Sequence, residues 1–381
     1  MKIVADENIP ALADFFGALG SVHTCPGRTL SADDVRGADV LLVRSVTRVD
    51  ARLLANSRVR FVGTATIGTD HIDTQWLDAQ GIAWAAAPGC NAAAVVDYVL
   101  GVMAFAAKAD GCALRDYSVG IVGAGNVGGR LRTRLEALGL DVMVSDPPRQ
   151  AQGAAGPFSP LEAVLAQDVV CLHTPLTHDG PHPTYHLLDQ HRLSGLGSHQ
   201  ILINAGRGAV VDNRALLRRL GEPDPPRAVL DVWENEPTID AELFDSVLLG
   251  TPHIAGYSLE GKLRGTAMLS DAFRRFQGLE KGPVLEQILP DPCCLQLPAE
   301  ASDDADRALA EIIRAAYDPS IDSRALADVL KMEGEGDRAK GFDQLRRDYP
   351  VRREFFFTAP EAPPNTEAAA LLAAAGFRAG S

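Results

Sequence analysis

The sequence predicts an α/β protein with two doubly wound parallel sheets and a small α+β part at the C-terminal end. Three observations carry this. Short apolar runs alternate with amphipathic stretches over the first ninety residues; a stronger alternation begins near residue 117; and the alternation stops near residue 286. Strands covered on both faces by crossover helices read as continuous apolar runs, which is the pattern here.

In the first series KIVAD, ADVLLVRS, RFVGTAT and IAWAAAP read as buried strands, with crossover helices expected over 47–55 and 72–79. An Ala/Val-rich helix over 91–107 leads out of this unit. The second series runs YSVGIVGAG, a helix to Leu138, then DVMVSD, FSPLEAVLAQ, DVVCLHTPL, QILINAG and RAVLDVW. In FSPLEAVLAQ, Ser159 is expected to cap a helix, Pro160 to take its first position and Glu162 to complete a capping box. Further helices are expected over 189–195 and 213–220. This run of βα alternations indicates a doubly wound sheet. In the tail, helices are expected over 303–316 and 323–332, then a strand in VRREFFFT, then punctuation at Pro360, Pro363 and Pro364. Exposing Phe355, Phe356 and Phe357 together is costly, which favours their burial against a second copy of the chain.

A chain of 381 residues is long enough for roughly two to three domains. With 36 Lys+Arg against 50 Asp+Glu the net charge is −14, which argues against nucleic acid or anionic lipid as a partner. From residue 286 onward 11 basic residues face 18 acidic ones, so a quarter of the chain carries half of that charge. The six cysteines form no C-x-x-C pair and read as free thiols of a reducing compartment. The longest apolar run, 98–107, falls short of the ~20 residues that span a bilayer. Asp6 and Glu7 stand where a signal peptide is apolar, so the expected location is cytoplasmic. His178, His182 and His186 recur at a spacing of four, but Pro181 and Pro183 break any helix there, and no metal site is expected.

Gly123-Ala124-Gly125-Asn126-Val127-Gly128 follows the apolar run 119–122 and opens a helix whose Val127, Leu131, Leu135 and Leu138 share a face. In such a loop the first glycine permits the turn, the second lets the backbone approach a pyrophosphate, and the third lets helix and strand pack. Amides around Asn126 and Val127 can face the phosphates from the positive end of the helix. Asp146, 18 residues beyond Gly128, ends the next strand, where a carboxylate accepts from a ribose and repels a 2′-phosphate. NAD is therefore the expected cofactor; the alternative is a glycine turn without a ligand.

Three later strand ends carry polar residues: Gly206-Arg207-Gly208, Glu234-Asn235-Glu236-Pro237, and His253 after LLGTP. Carboxyl ends of strands form the ligand crevice of an open α/β sheet, so these loops can converge. An arginine fork suits a carboxylate, and a histidine steadied by a second carboxylate suits removal of a hydroxyl proton. Arg207, Glu236 and His253 are the expected catalytic residues of a 2-hydroxy acid oxidation. Alternatively, the arginine caps a turn, the glutamate precedes a helix and the histidine is structural. His71 and His173 are expected to be structural hydrogen-bonders.

The stretches GIVGAGNVGGRL, LHTPLT, LINAGRGAVVDNRALL, LDVWENEP and TPHIAGY resemble the D-isomer-specific 2-hydroxyacid dehydrogenases. The resemblance implies a flavodoxin-like substrate (lid) domain over 1–95 and 257–285, a Rossmann NAD-binding domain over 96–256, and a dimerisation domain over 286–381. It implies cofactor contacts at the glycine loop, Asp146, Thr174, Asp231 and Gly256, and substrate contacts at Ser45, Thr66 and Tyr257. Ser45 and Thr66 fall at strand ends, and Arg44 is an additional candidate for an anion. KIVADENIP, PGRTLSADDV, FVGTATIGTDHID and the C-terminal extension resemble a branch that acts on a phosphorylated 2-hydroxy acid as a homodimer. Rivals are oxidation of glycerate or phosphoglycerate, and an NAD-sensing, corepressor-like binding protein.

Overall fold

The computed structural model describes residues 1–295, 304–360 and 365–378. They form two compact units, Met1–Asn91 with Ser258–Asp291, and Ala92–Tyr257 with Pro292–Ser381. The expected punctuation at Pro363 and Pro364 lies outside the described residues.

The first unit holds five parallel strands, β1 (Lys2–Asp6), β2 (Ser21–Cys25), β3 (Val40–Val43), β4 (Phe61–Thr64) and β5 (Ala83–Ala85), in the order β2-β1-β3-β4-β5. Alternate side chains of the central strands enter two cores, as period-two strands buried on both faces require. Val4, Leu41, Val43 and Val62 face Leu54 and Leu77, while Ile3, Ala5, Leu42 and Phe61 face Phe15, Phe16 and Phe273. Phe273 belongs to the helix Leu259–Gln277, and its ring stands edge-on to Phe61 at 5.1 Å. The sequence expectation omits β2, whose residues SVHTC form an edge strand with most side chains exposed and therefore no apolar run. β5 is likewise only half-buried rather than a core strand.

The second unit continues with six parallel strands: β6 (Val119–Val122), β7 (Val142–Ser145), β8 (Val169–Leu172), β9 (Ile201–Asn204), β10 (Arg227–Leu230) and β11 (Leu249–Gly250). Their order is β11-β10-β9-β8-β6-β7. The direction of winding reverses between β6 and β8, a switch point where the strands' carboxyl ends open a crevice. The helix Ala92–Asp110 is long and apolar enough to cross a membrane by composition, yet most of it is buried against this sheet. The expected capping box at Ser159 does not form. Pro160 is the N-cap of the helix Leu161–Leu165 without a side-chain cap bond, and the Ser159 amide instead donates to Val144 O at 2.7 Å.

The C-terminal residues contribute helices Ala305–Ala316, Pro319–Leu330, Glu335–Arg347 and Thr366–Ala375, and strands β12 (Cys293–Leu295) and β13 (Thr358–Pro360), which pair in parallel. They share the second unit's cores. Leu309, Ile312, Ile313 and Leu372 join the cluster of Val119, Ile121 and Met103, and Leu326 and Phe342 join that of Val170 and Leu202. VRREFFFT is not one strand: Phe355–Phe357 make a 3-10 turn and only its last residue enters β13. Of the three phenylalanines, Phe355 is buried and stacked on Phe377 at 4.3 Å, and Phe356 alone is largely exposed, at 59%.

Candidate active site

The glycine loop leaves β6 as its spacing requires. Gly123 has φ +94°, and a Cβ there would lie 2.9 Å from the His173 carbonyl oxygen. A Cβ on Gly128 would lie 1.9 Å from the Gly123 oxygen, so helix and strand touch backbone to backbone. A Cβ on Gly125 would meet nothing within 4 Å, leaving open space where the helix Asn126–Ala137 begins, with Gly125 as N-cap and Val127 in its first turn. Asp146 accepts the Ala124 amide at 2.8 Å and the Arg149 amide at 3.0 Å, tying the ribose-binding candidate to the loop itself.

At the end of β8 the Thr174 hydroxyl and both ring nitrogens of His173 are buried with no hydrogen-bond partner among the described residues. Burial pushes the His173 imidazole down to about 4, so the ring is neutral. The expectation of a structural hydrogen-bonder fails for His173, whose ring has no hydrogen-bond partner among the described residues, and holds for His71, whose Nε2 lies 3.0 Å from Thr64 Oγ1. Buried polar atoms without partners call for an explanation. Here they stand beside a glycine loop and open space, and a dinucleotide fits that arrangement.

The three catalytic candidates follow three adjacent strands, β9, β10 and β11. After β9, Asn204 pins the turn: its Nδ2 donates to Arg207 O at 3.0 Å and its Oδ1 accepts the Gly206 amide at 3.2 Å. Gly208 lies so close to the next loop that a Cβ would sit 2.0 Å from Trp233 O. The arginine loop and the glutamate loop are therefore in backbone contact. After β10, Glu236 Oε1 accepts the Trp233 amide at 2.8 Å and Oε2 lies 2.7 Å from His253 Nδ1. Burial alone would raise the Glu236 pKa, but the His253 charge, two hydrogen bonds and the Arg346 charge outweigh it and hold it below the usual range.

His253 has φ +56°, a left-handed backbone that is uncommon outside glycine. Asp231 holds the loop in this shape. Its carboxylate accepts from Thr251 Oγ1 at 2.7 Å and from the amides of Ile254 at 2.8 Å and Ala255 at 3.0 Å, while its carbonyl accepts the His253 amide at 2.8 Å. Burial raises the Asp231 pKa, and the His253 charge and these bonds offset it only in part. Thr251 is itself held by the buried Tyr98 hydroxyl at 2.9 Å. Gly256 and Tyr257 follow directly, with Tyr257 edge-on to Tyr349 at 5.7 Å.

In the first unit, Ser45 lies in the turn after β3 and is exposed. Thr66 follows β4, its hydroxyl 2.7 Å from Thr64 Oγ1 and donating to Gly68 O at 3.0 Å. Both stand at the carboxyl ends of neighbouring parallel strands. The His-rich loop after Thr177 is closed by Thr177–Thr184 bonds, and His186 Nε2 lies 2.7 Å from Glu234 Oε1. Sequence reasoning missed Asn204, Thr251 and Arg346. The first two are ordinary strand-end polar residues, and Arg346 lies in a helix absent from the expectation, so none carried a motif.

A dinucleotide loop on one parallel sheet, with an arginine, a glutamate and a histidine on adjacent strand ends, defines an NAD-dependent dehydrogenase. Residues 100–255 match the D-isomer specific 2-hydroxyacid dehydrogenase, NAD binding domain, and residues 288–376 match a domain of unknown function (DUF3410). The chain belongs to the D-isomer specific 2-hydroxyacid dehydrogenase family. It is 54% identical to the erythronate-4-phosphate dehydrogenase of Marinobacter nauticus, over 93% of each chain. It is 52% identical to that of Azotobacter vinelandii, again over 93% of each. Among solved structures, the TT0316 protein of Thermus thermophilus superposes with a TM-score of 0.61 at 26% identity, covering 74% of this chain and 100% of its own. An NAD⁺-bound 3-phosphoglycerate dehydrogenase of Entamoeba histolytica gives 0.63 at 22%, covering 74% of this chain and 98% of its own.

Proposed function

We propose that the protein oxidises 4-phospho-D-erythronate at C2 to 2-oxo-3-hydroxy-4-phosphobutanoate with NAD, a step of pyridoxal phosphate (vitamin B6) biosynthesis. The reading rests on the Glu236–His253 pair, with Nδ1 and Oε2 2.7 Å apart, in a chain that matches enzymes of that name along nearly its whole length.

The pair sets the tautomer. An ionised Glu236 only accepts, so Nδ1 of His253 carries the proton and donates it, leaving Nε2 as the base. Arg207 grips the C1 carboxylate with its guanidinium fork. Nε2 takes the C2 hydroxyl proton as the C2–O bond becomes a carbonyl, and the resulting imidazolium is stabilised by Glu236. NAD, when bound, supplies the hydride acceptor, held by the loop 123–128, Asp146, Thr174 and Gly256. The Asp231 carboxylate is engaged with its own loop, so its part is to fix His253 beside the nicotinamide. Ser45, Thr66 and Tyr257 hold the remainder of the substrate.

We further propose a cytoplasmic homodimer, supported by the exposed Phe356 and Val351 of the C-terminal residues. A molar mass in solution of one chain at micromolar concentration would speak against it. The activity is tested by following NADH formation with 4-phospho-D-erythronate, erythronate, glycerate and 3-phosphoglycerate. We expect kcat/KM to be highest for the first by about 10²-fold or more, since a phosphate met by charged hydrogen bonds contributes a few kcal/mol. Equal or greater kcat/KM for glycerate or 3-phosphoglycerate would overturn the substrate assignment.

A further inference from the structure

The superposed dehydrogenases cover about three-quarters of this chain and nearly all of their own, so the C-terminal residues are an addition to the common scaffold. These residues also touch the catalytic loop. Arg352, buried, donates to the Ala255 carbonyl, two residues from His253, and to Ala94 O at 3.2 Å. Tyr349 meets the Tyr257 ring edge-on. From the helix Glu335–Arg347, the Arg346 guanidinium carbon lies 5.9 Å from the centre of the Tyr257 ring.

We propose that Arg346 is a positioning residue for the reaction, steadying Tyr257 and keeping a permanent positive charge beside the Glu236–His253 pair. Three observations support it. Its side chain is only 13% exposed, and its nearest ion-pair oxygen, on Asp343, is 3.9 Å away. Its Nε is buried without a hydrogen-bond partner. A sequestered cation with so long an ion pair is costly unless other groups compensate it. Those groups are in the site: Tyr257, over whose ring it lies, and Glu236 act on its charge together with Asp343. Reciprocally, its charge helps to keep Glu236 ionised.

The charged and titratable groups around the pair come from each neighbouring element: Arg207 from the loop after β9, Asp231 from the β10 end, Glu234 with its partner His186 beside the Glu236 turn, Tyr257 from the loop after β11, and Arg346 from the helix Glu335–Arg347 with Asp343 behind it. Arg207 and Arg346 are the cations among these, and Arg346 is the one supplied by the C-terminal residues; its charge favours ionised Glu236. Removing its charge makes a proton on the pair harder to remove and moves the acid limb of the activity profile to higher pH.

This inference rests on the dehydrogenase reading, and the test separates the two. Full-length wild type, R346K and R346Q are compared for kcat, KM, NAD affinity and the pH profile of kcat/KM, on whichever 2-hydroxy acid the wild type oxidises. We expect R346Q to lose about 10-fold in kcat, with NAD affinity unchanged and the acid limb raised by about half a pH unit or more. R346K should restore the limb. Unmoved limbs in both variants would overturn the proposal, as would a loss confined to the substrate KM, which marks direct anion binding. If the wild type turns over no hydroxy acid, the functional reading fails. The His253 imidazole, titrated by NMR in the same three proteins, then reads the Arg346 effect without turnover: a higher midpoint in R346Q supports it and an unchanged one overturns it.

Discussion

At the scale of single residues, the two carboxylates nearest His253 have different partners, and the proposed mechanism gives them different parts. Glu236 faces the imidazole and stays ionised; Asp231 is spent on the loop that carries His253. E236Q keeps the shape of the first but removes its charge and lets the amide present the wrong atom to Nδ1. We expect kcat to fall by on the order of 10²-fold or more, with little change in NAD affinity, in steady-state kinetics. R207K keeps a charge without the fork, and KM for the hydroxy acid should rise about 10-fold. Arg207, Glu236, His253 and the glycine loop stood out in the sequence as candidates because each lies in the loop that follows a strand, in a fixed order. The roles of Asp231 and His173 did not. That a carboxylate has donated-to oxygens on its own loop, or that a ring is buried without partners, depends on contacts between residues far apart in the chain.

Among elements, the contact between the loops after β9 and β10 constrains the candidate catalytic residues most directly. Gly208 has no room for a side chain because the Trp233 carbonyl and Glu234 amide occupy it. G208A therefore forces the arginine loop away from the glutamate loop. We expect a loss of about 2 kcal/mol in stability, read by denaturant unfolding, and a larger fractional loss in kcat/KM than in expression. The central strands of both sheets were legible as apolar runs. β2 was not, since an edge strand with exposed His23 and Thr24 has no such run, and neither was the helix Glu335–Arg347, whose single buried apolar side chain is Phe342.

For the whole molecule, the C-terminal residues are joined to the NAD-binding sheet through a buried polar network. Asp97, on the helix Ala92–Asp110, accepts the Phe355 amide at 2.9 Å, with Glu354, Arg134 and Arg352 around it. Burial pushes its carboxyl up to about 7. An acid whose pKa is raised by folding stabilises the fold fully below its unfolded value of about 4, and that contribution is lost as pH rises towards 7. D97N has no such titration. The unfolding free energy of D97N, read by denaturant unfolding, should therefore gain on that of wild type between pH 5 and pH 8 by on the order of 2–4 kcal/mol. A constant difference across that range would contradict the assignment. The acidic tail noted in the sequence thus has a buried face, where Arg352 and Glu354 carry opposite charges.

The central claim is that His253 removes the proton while the cofactor is held elsewhere, by the glycine loop and its neighbours. Its most direct measurement is turnover of 4-phospho-D-erythronate by H253A, made alongside the affinity of the same variant for NAD. The account predicts a fall in kcat of about 10²- to 10⁴-fold with NAD affinity unchanged; unchanged turnover, or a loss explained entirely by weaker NAD binding, would contradict it.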